Sequence, residues 1–148
     1  MNDPVEQAWQ VLKTRTDDLP DFWITVYQAA LEAAFREGNT SAGVGLAIFA
    51  AASLESQGRP GMALAHIDDA LAIFGSDAGV HARLTSFRAI FEAICGMDTA
   101  SRSIAQARRG IRSLPLHVAT EVDLFAAVVG AIQLRAQHRA RRTKRCHR

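Results

Sequence analysis

The stretch Gly58-Arg-Pro-Gly-Met-Ala-Leu-Ala-His-Ile-Asp-Asp-Ala-Leu-Ala-Ile-Phe74 decides the fold. Ala63, Ile67 and Ala70 recur at the spacing of one helical face. Gly58 and Pro60 mark a turn just before it, since glycine closes a preceding helix and proline suits a first helical turn. Two small residues around a bulky one predict a helix pressed tightly between neighbouring helices.

Working outward from this helix, each flanking segment reads as a further helix. Upstream, a helix runs from about Thr40 or Ser41 to Ser56, with Val44, Ala47, Ala51 and Leu54 on one face. Gly43 and Gly45 are set for close backbone approach. Before it, residues 21–37 carry a stripe of Phe22, Val26, Ala30 and Ala33, widened by Trp23, Tyr27 and Ala34 and ended by Gly38-Asn39. The first helix opens at Asp3-Pro4-Val5-Glu6, a capping-box-like spacing, and runs to about Thr14. Asp17-Asp18-Leu19-Pro20 then breaks the chain.

Downstream, Ser76-Asp77 caps a helix striped by Val80, Leu84, Phe87, Phe91 and Ile94 and stopped by Gly96. Asp98 caps the next, with Ala100, Ile104, Ala107, Ile111 and Leu114 inward and Pro115 as its break. The last starts near Leu116 or His117. Val118, Val122, Phe125, Val129 and Ile132 form one stripe, and Leu124, Val128 and Ala131 form a second. It continues as a basic helix through Arg135 or beyond. Links of about two to six residues make consecutive helices antiparallel neighbours. The expected fold is all-α, an antiparallel helical-hairpin array of about seven helices. It occupies a single domain over residues 1–138, with a basic tail at 139–148.

Two units within this array can be superposed at an offset of forty residues. Ala51, Leu54, Ala63, Ile67 and Ala70 correspond to Phe91, Ile94, Ser103, Ala107 and Gly110. With small residues at the close-approach positions and Pro115 closing the second unit, residues 44–117 resemble tetratricopeptide repeats. Bulky Phe91 departs from the family pattern, and the first unit lacks a closing proline. The resemblance implies an α-solenoid that binds proteins or peptides, as an adaptor, chaperone or regulatory scaffold. Its groove would be lined by the first helix of each pair, which nominates Ile48, Ala52 and Glu55, then Thr85, Arg88, Glu92 and Cys95. Arg88 is the one cation in these rows and no Asn is present, so a carboxylate clamp for peptide C-termini is not expected. Pairing the second helix with the third instead would turn this groove face outward.

Motifs for chemistry are missing, and no catalysis, metal or cofactor is expected. His66 and Asp69 are three apart on what reads as the polar edge of their helix, with Asp68 beside them. No third or fourth ligand is near in sequence, so a solvated face is expected. Cys95 lies almost four helical turns from His81, roughly 20 Å at the standard rise, which points to a buried inert thiol. Cys146-His147 is a weak metal pair at best. Gly43-Val-Gly45 lacks the phosphate-loop pattern, and no G-x-S-x-G elbow occurs. Trp9, Phe22, Trp23 and Tyr27 cluster near the N-terminus, where packing of the first helix on the second is favoured over a binding hot spot.

Charge is unevenly distributed. The chain of 148 residues has 17 basic and 15 acidic groups, a net +2. Without the last ten residues, which carry six basic groups and no acid, 11 basic groups face 15 acidic ones, a net −4. Arg139, Arg141, Arg142, Lys144 and Arg145 make the tail dense enough to meet nucleic-acid phosphates or an anionic membrane surface. Arg102, Arg109 and Arg112 add an outer basic face on the sixth helix. A nucleic-acid-associated regulator is therefore the alternative function. A solvated tail or a truncated product would give the same composition. Two distant cysteines form no disulfide framework, so a reducing cytosol is the expected location. The uncharged apolar runs Ala42–Leu54 and Leu124–Leu134 fall short of the roughly 18 residues of a membrane span. The second stripe of the last helix, Leu124, Val128 and Ala131, has no following helix to cover it. It predicts a homodimer, a bound partner or a further domain.

Overall fold

The computed structural model describes residues 3–14 and 19–146. Within them the chain forms α1 (Pro4–Thr14), α2 (Trp23–Arg36), α3 (Thr40–Ser56), α4 (Pro60–Phe74), α5 (Ala78–Ile94), α6 (Ala100–Arg108), a 3-10 turn (Ile111–Ser113) and α7 (Leu116–Cys146). No strand occurs among the described residues. The break read at Asp17-Asp18 and the His147 half of the Cys146-His147 pair lie outside them.

Local chemistry explains most boundaries. The Asn39 and Asp77 side chains accept from the Ala42 and Val80 amides, which caps α3 and α5. Three helices end alike. Asn39, Arg59 and Met97 donate their amides to the Ala34, Leu54 and Glu92 carbonyls, with Gly38, Gly58 and Gly96 left-handed between. This wrapped ending satisfies carbonyls the helix leaves open, and a residue without Cβ adopts its left-handed step at least cost.

One boundary differs from expectation. The sixth helix stops at Arg108, and Gly110 at φ +75° turns the chain into the 3-10 turn. Ile111 and Leu114 therefore reach the interior from a turn and not from a continuing helical stripe. Arg109 and Arg112 no longer share a helical face with Arg102. The Asp98 cap is also displaced, because Thr99 takes the N-cap position and spends its hydroxyl on Glu92.

Helices pack in sequence order: α1 along α2, α3 along α4, α5 along α6. α4 also lies against α5, and α7 returns along α5 with a smaller contact to α6. The main core joins α1 to α5 around Trp23, Tyr27, Leu31, Leu46, Leu54, Ile67, Leu84 and Phe91. Gly43 lies against the Phe74 ring, where a Cβ would clash. Gly45 has open space beside it, so close approach holds at one of the two expected positions. The α2 stripe is rotated from expectation. Trp23, Tyr27, Ala30, Leu31 and Ala34 face inward, whereas Phe22 precedes the helix and is 54% exposed. On α5, Ile94 likewise ends exposed beside the closing turn.

The second half of the molecule has a leaner interior. Ala89, Ala93, Ala100, Ile104 and Val129 form one cluster, and Ala82, Ala107 and Val122 another. Alanines let α5, α6 and α7 approach closely but remove little apolar surface from water. Ion pairs supplement them: Arg83 to Glu121 at 2.7 Å and Arg108 to Asp123 at 3.3 Å join α5 and α6 to α7.

Candidate functional site: an unpartnered face of α7

The residues nominated for a groove are divided between interior and surface. Thr85 and Glu92 are buried, and Glu92 has no exposed surface at all. Its carboxylate accepts from the Thr99 and Ser103 hydroxyls and pairs with Arg88 Nη1 at 2.8 Å. Placed at the start of α6, the negative charge also meets the open amide end of that helix. Arg88 in turn donates to Asp68 at 2.7 Å, so it bridges α4 and α5 as an internal tie. These residues hold helices together. Ile48 is half-buried against the main core, while Ala52 and Glu55 are exposed on α3. Cys95, expected to be a buried thiol, is exposed at the end of α5.

His66 also departs from the solvated face expected for it. It is buried, and the Trp23 indole N–H donates to its Nε2 at 2.9 Å. An indole nitrogen only donates, so Nε2 is the bare nitrogen and Nδ1 carries the proton, which it gives to the Met62 carbonyl at 2.8 Å. The Tyr27 hydroxyl donates to the His66 carbonyl at 2.7 Å, and its ring stacks on the imidazole with centroids 4.4 Å apart. Burial is the largest influence on His66 and lowers its pKa. The Met62 carbonyl and Asp69 oppose it, and Arg59 adds to it. Burial, helped by Asp69, pushes the Tyr27 hydroxyl well above its ordinary pKa. Both imidazole nitrogens are engaged, so His66 offers no lone pair to a metal. Among the described residues no three His, Cys, Asp or Glu side chains converge as a metal site.

The N-terminal aromatic cluster is divided. Trp23 and Tyr27 are interior, and Trp9 packs at a tilt against Phe49 of α3, with ring centroids 5.2 Å apart. Phe22 instead lines an open cleft of about 590 Å³ with Val11, Val26, Glu6 and Gln10, between α1 and α2. The sequence reading missed this cleft because it assigned Phe22 to the inward stripe.

The most distinctive surface belongs to α7. Val118, Val122 and Val129 are buried toward α5 and α6. On the other side, Leu116 is 81%, Leu124 60%, Val128 37% and Leu134 55% exposed, with Ala127 and Ala131 exposed between them. The helix then continues without a break through Arg139, Arg141, Arg142, Lys144 and Arg145, all exposed. Thus the change at residue 139 is one of charge and not of conformation. Arg102, Arg109 and Arg112 are exposed too, but on separate elements.

By length and composition, α7 is the one helix among the described residues long and apolar enough to cross a membrane. The sequence reading measured uninterrupted uncharged runs and so stopped at Asp123. Glu121 and Asp123 of this helix are engaged by Arg83 and Arg108. No protein-family model, curated protein or solved structure matches the chain.

Proposed function

We propose that this chain is a non-catalytic protein-interaction module, an adaptor, chaperone or regulatory scaffold working through apolar helical surface. One observation carries the reading. α7 is apolar on two opposite sides, and among the described residues only one of them is packed against other helices. A contiguous exposed apolar strip is the usual mark of an association site. The pairing of α1 with α2, α3 with α4 and α5 with α6, and the burial of Ala51, Ala63 and Ala70, support a tetratricopeptide-like array as its scaffold. The interior position of Thr85 and Glu92 argues against the family's concave groove as the binding face here, and the outward side of α7 replaces it.

The test is a photo-reactive benzoylphenylalanine at Ala131 of the full chain, illuminated inside the cells that make it. Protein adducts are expected at Ala131 and not at Ala52, an exposed position on α3. Equal yields at both positions, or none at either, would overturn the reading.

A second reading has its own observation: the basic end of α7 is an exposed, continuous helix. A nucleic-acid-associated regulator would bind DNA or RNA through it, with affinity falling steeply as salt displaces phosphate contacts. Fluorescence anisotropy of a labelled duplex across a salt series distinguishes it. Without such a slope, the basic helix has another use.

A further inference from the structure

The exposed strip on α7 has a register. Leu124, Ala127, Ala131 and Leu134 follow spacings of three and four, the seam of a two-helix coil. Val128 flanks that seam, and all five residues are exposed. Small residues sit at its centre and leucines at both ends, so a second helix crossing there can approach closely. The face that would receive it lies opposite the valines packed against α5 and α6.

From these observations we infer that the strip is covered by α7 of a second copy of this chain, running antiparallel. This rests on the interaction-module reading and names its partner. Charge selects both the occupant and the direction. Extended at the same spacing toward the C-terminus, the seam passes through His138, Arg141 and Arg145; toward the N-terminus it passes through Thr120 and His117. A parallel pair would set Arg141 on Arg141 and Arg145 on Arg145, like charges directly opposed. An antiparallel pair centred on Val129 sets Leu124 on Leu134 of the other copy and Ala127 on its Ala131. It carries each basic end away from its twin, to the start of the partner helix, and lays residues 131–138 along the partner's N-terminal half. There Arg135 falls on the same flank as Glu121 of the other copy. Glu121 keeps part of its side chain exposed beside Arg83 and can accept a second cation. The arrangement is two-fold symmetric and closes on itself, so it gives a dimer and not a filament.

Cysteine cross-linking in a chain carrying Cys95→Ser and Cys146→Ser tests the geometry. Mixed Leu124→Cys and Leu134→Cys chains should form a disulfide dimer on mild oxidation, while either variant alone stays mostly unlinked. Efficient linking of Leu124→Cys to itself would show a parallel pair and overturn the antiparallel assignment. Light scattering at about 100 µM, a concentration chosen for micromolar association, should give twice the 16.1 kDa chain mass. Val128→Lys should return it to monomer with its helical circular dichroism intact. The photo-adduct at Ala131 separates the two claims by mass. An adduct of twice the chain mass supports self-pairing. One of any other mass overturns self-pairing and leaves the module reading standing. Absence of any adduct overturns both.

Discussion

Replacing Glu92 with alanine should destabilise this protein more than any other single change of a charged residue on α5. The carboxylate is fully buried and takes three partners at once: the Thr99 hydroxyl, the Ser103 hydroxyl and the Arg88 guanidinium. Truncation leaves two hydroxyls without their charged acceptor, at about 1.5–3 kcal/mol for each bond of that kind. Loss of the Arg88 pair adds less than a fully buried pair would, because that side chain is 27% exposed and keeps Asp68. Part of the loss is recovered if water enters the vacated space, so a net cost of about 3 kcal/mol is expected. For a chain of this length that lowers the midpoint of thermal unfolding by about 6–12 °C. Urea titration followed by circular dichroism reads the free energy directly. Glu92→Gln keeps the shape and one acceptor oxygen, and should cost about half as much. Because Glu92 fastens the start of α6 to α5, amide exchange in Ala100–Ile104 should accelerate more than in α3. A loss below about 1 kcal/mol in the alanine variant would refute the argument, since it falls under the worth of a single charged hydrogen bond.

Other consequences follow from the same packing. His66 is held neutral by burial and by its Trp23 donor, so its folded pKa lies below its unfolded one. The unfolded chain then binds the extra proton first. Stability from this group is complete above about pH 6.5 and is lost as pH falls from there through the folded pKa. Urea midpoints measured between about pH 7.5 and pH 5 should decline, and His66→Phe should flatten that decline. Gly43→Ala should cost about 1–3 kcal/mol by chemical denaturation, because the added methyl meets the Phe74 ring. Gly45→Ala, with open space beside it, should be neutral or stabilising. Gly110→Ala should cost about 1 kcal/mol through its left-handed backbone, with no steric contribution. Native-state hydrogen exchange should show α6 and α7 opening at lower free energy than α2–α4, since their interior is largely alanine and valine.

How far the fold was legible depends on what each signal measures. Helix ends were marked by single residues with local mechanisms, so Gly38, Gly58, Gly96, Asn39 and Asp77 fall where they were expected. Gly110 acts by the same mechanism, yet it was read inside a helix because Ile111 and Leu114 continue the apolar spacing. Periodicity reports which residues share a side; it does not report whether the backbone stays helical between them. On α2, Ala30 and Ala33 of the expected stripe are buried and Phe22 is not, for another reason. Phe22 and Trp23 are adjacent aromatics, and only the partner, His66 on α4, decides which turns inward. That partner lies 43 positions away and was itself read as a surface residue.

The same limit governs the candidate site. A buried polar side chain such as Glu92 or His66 looks, in sequence, like a surface one, because its burial depends on partners on other helices. An exposed apolar residue looks like a core one for the corresponding reason. α7 escapes this ambiguity because it is overdetermined. One helix can turn only about half its circumference toward its own core, and here two stripes on opposite sides are apolar. Val118, Val122 and Val129 take the interior that α5 and α6 offer, and Leu124, Val128 and Leu134 stay outside it among the described residues. That surplus is visible without any tertiary information, which is why the exposure of Leu124 and Val128 was legible while the burial of Thr85 and Glu92 was not. The basic residues beyond it then restrict what can cover the strip. A copy lying parallel would bring its Arg141 and Arg145 against their own counterparts, whereas one lying antiparallel sets its apolar strip on this one and takes its charge elsewhere.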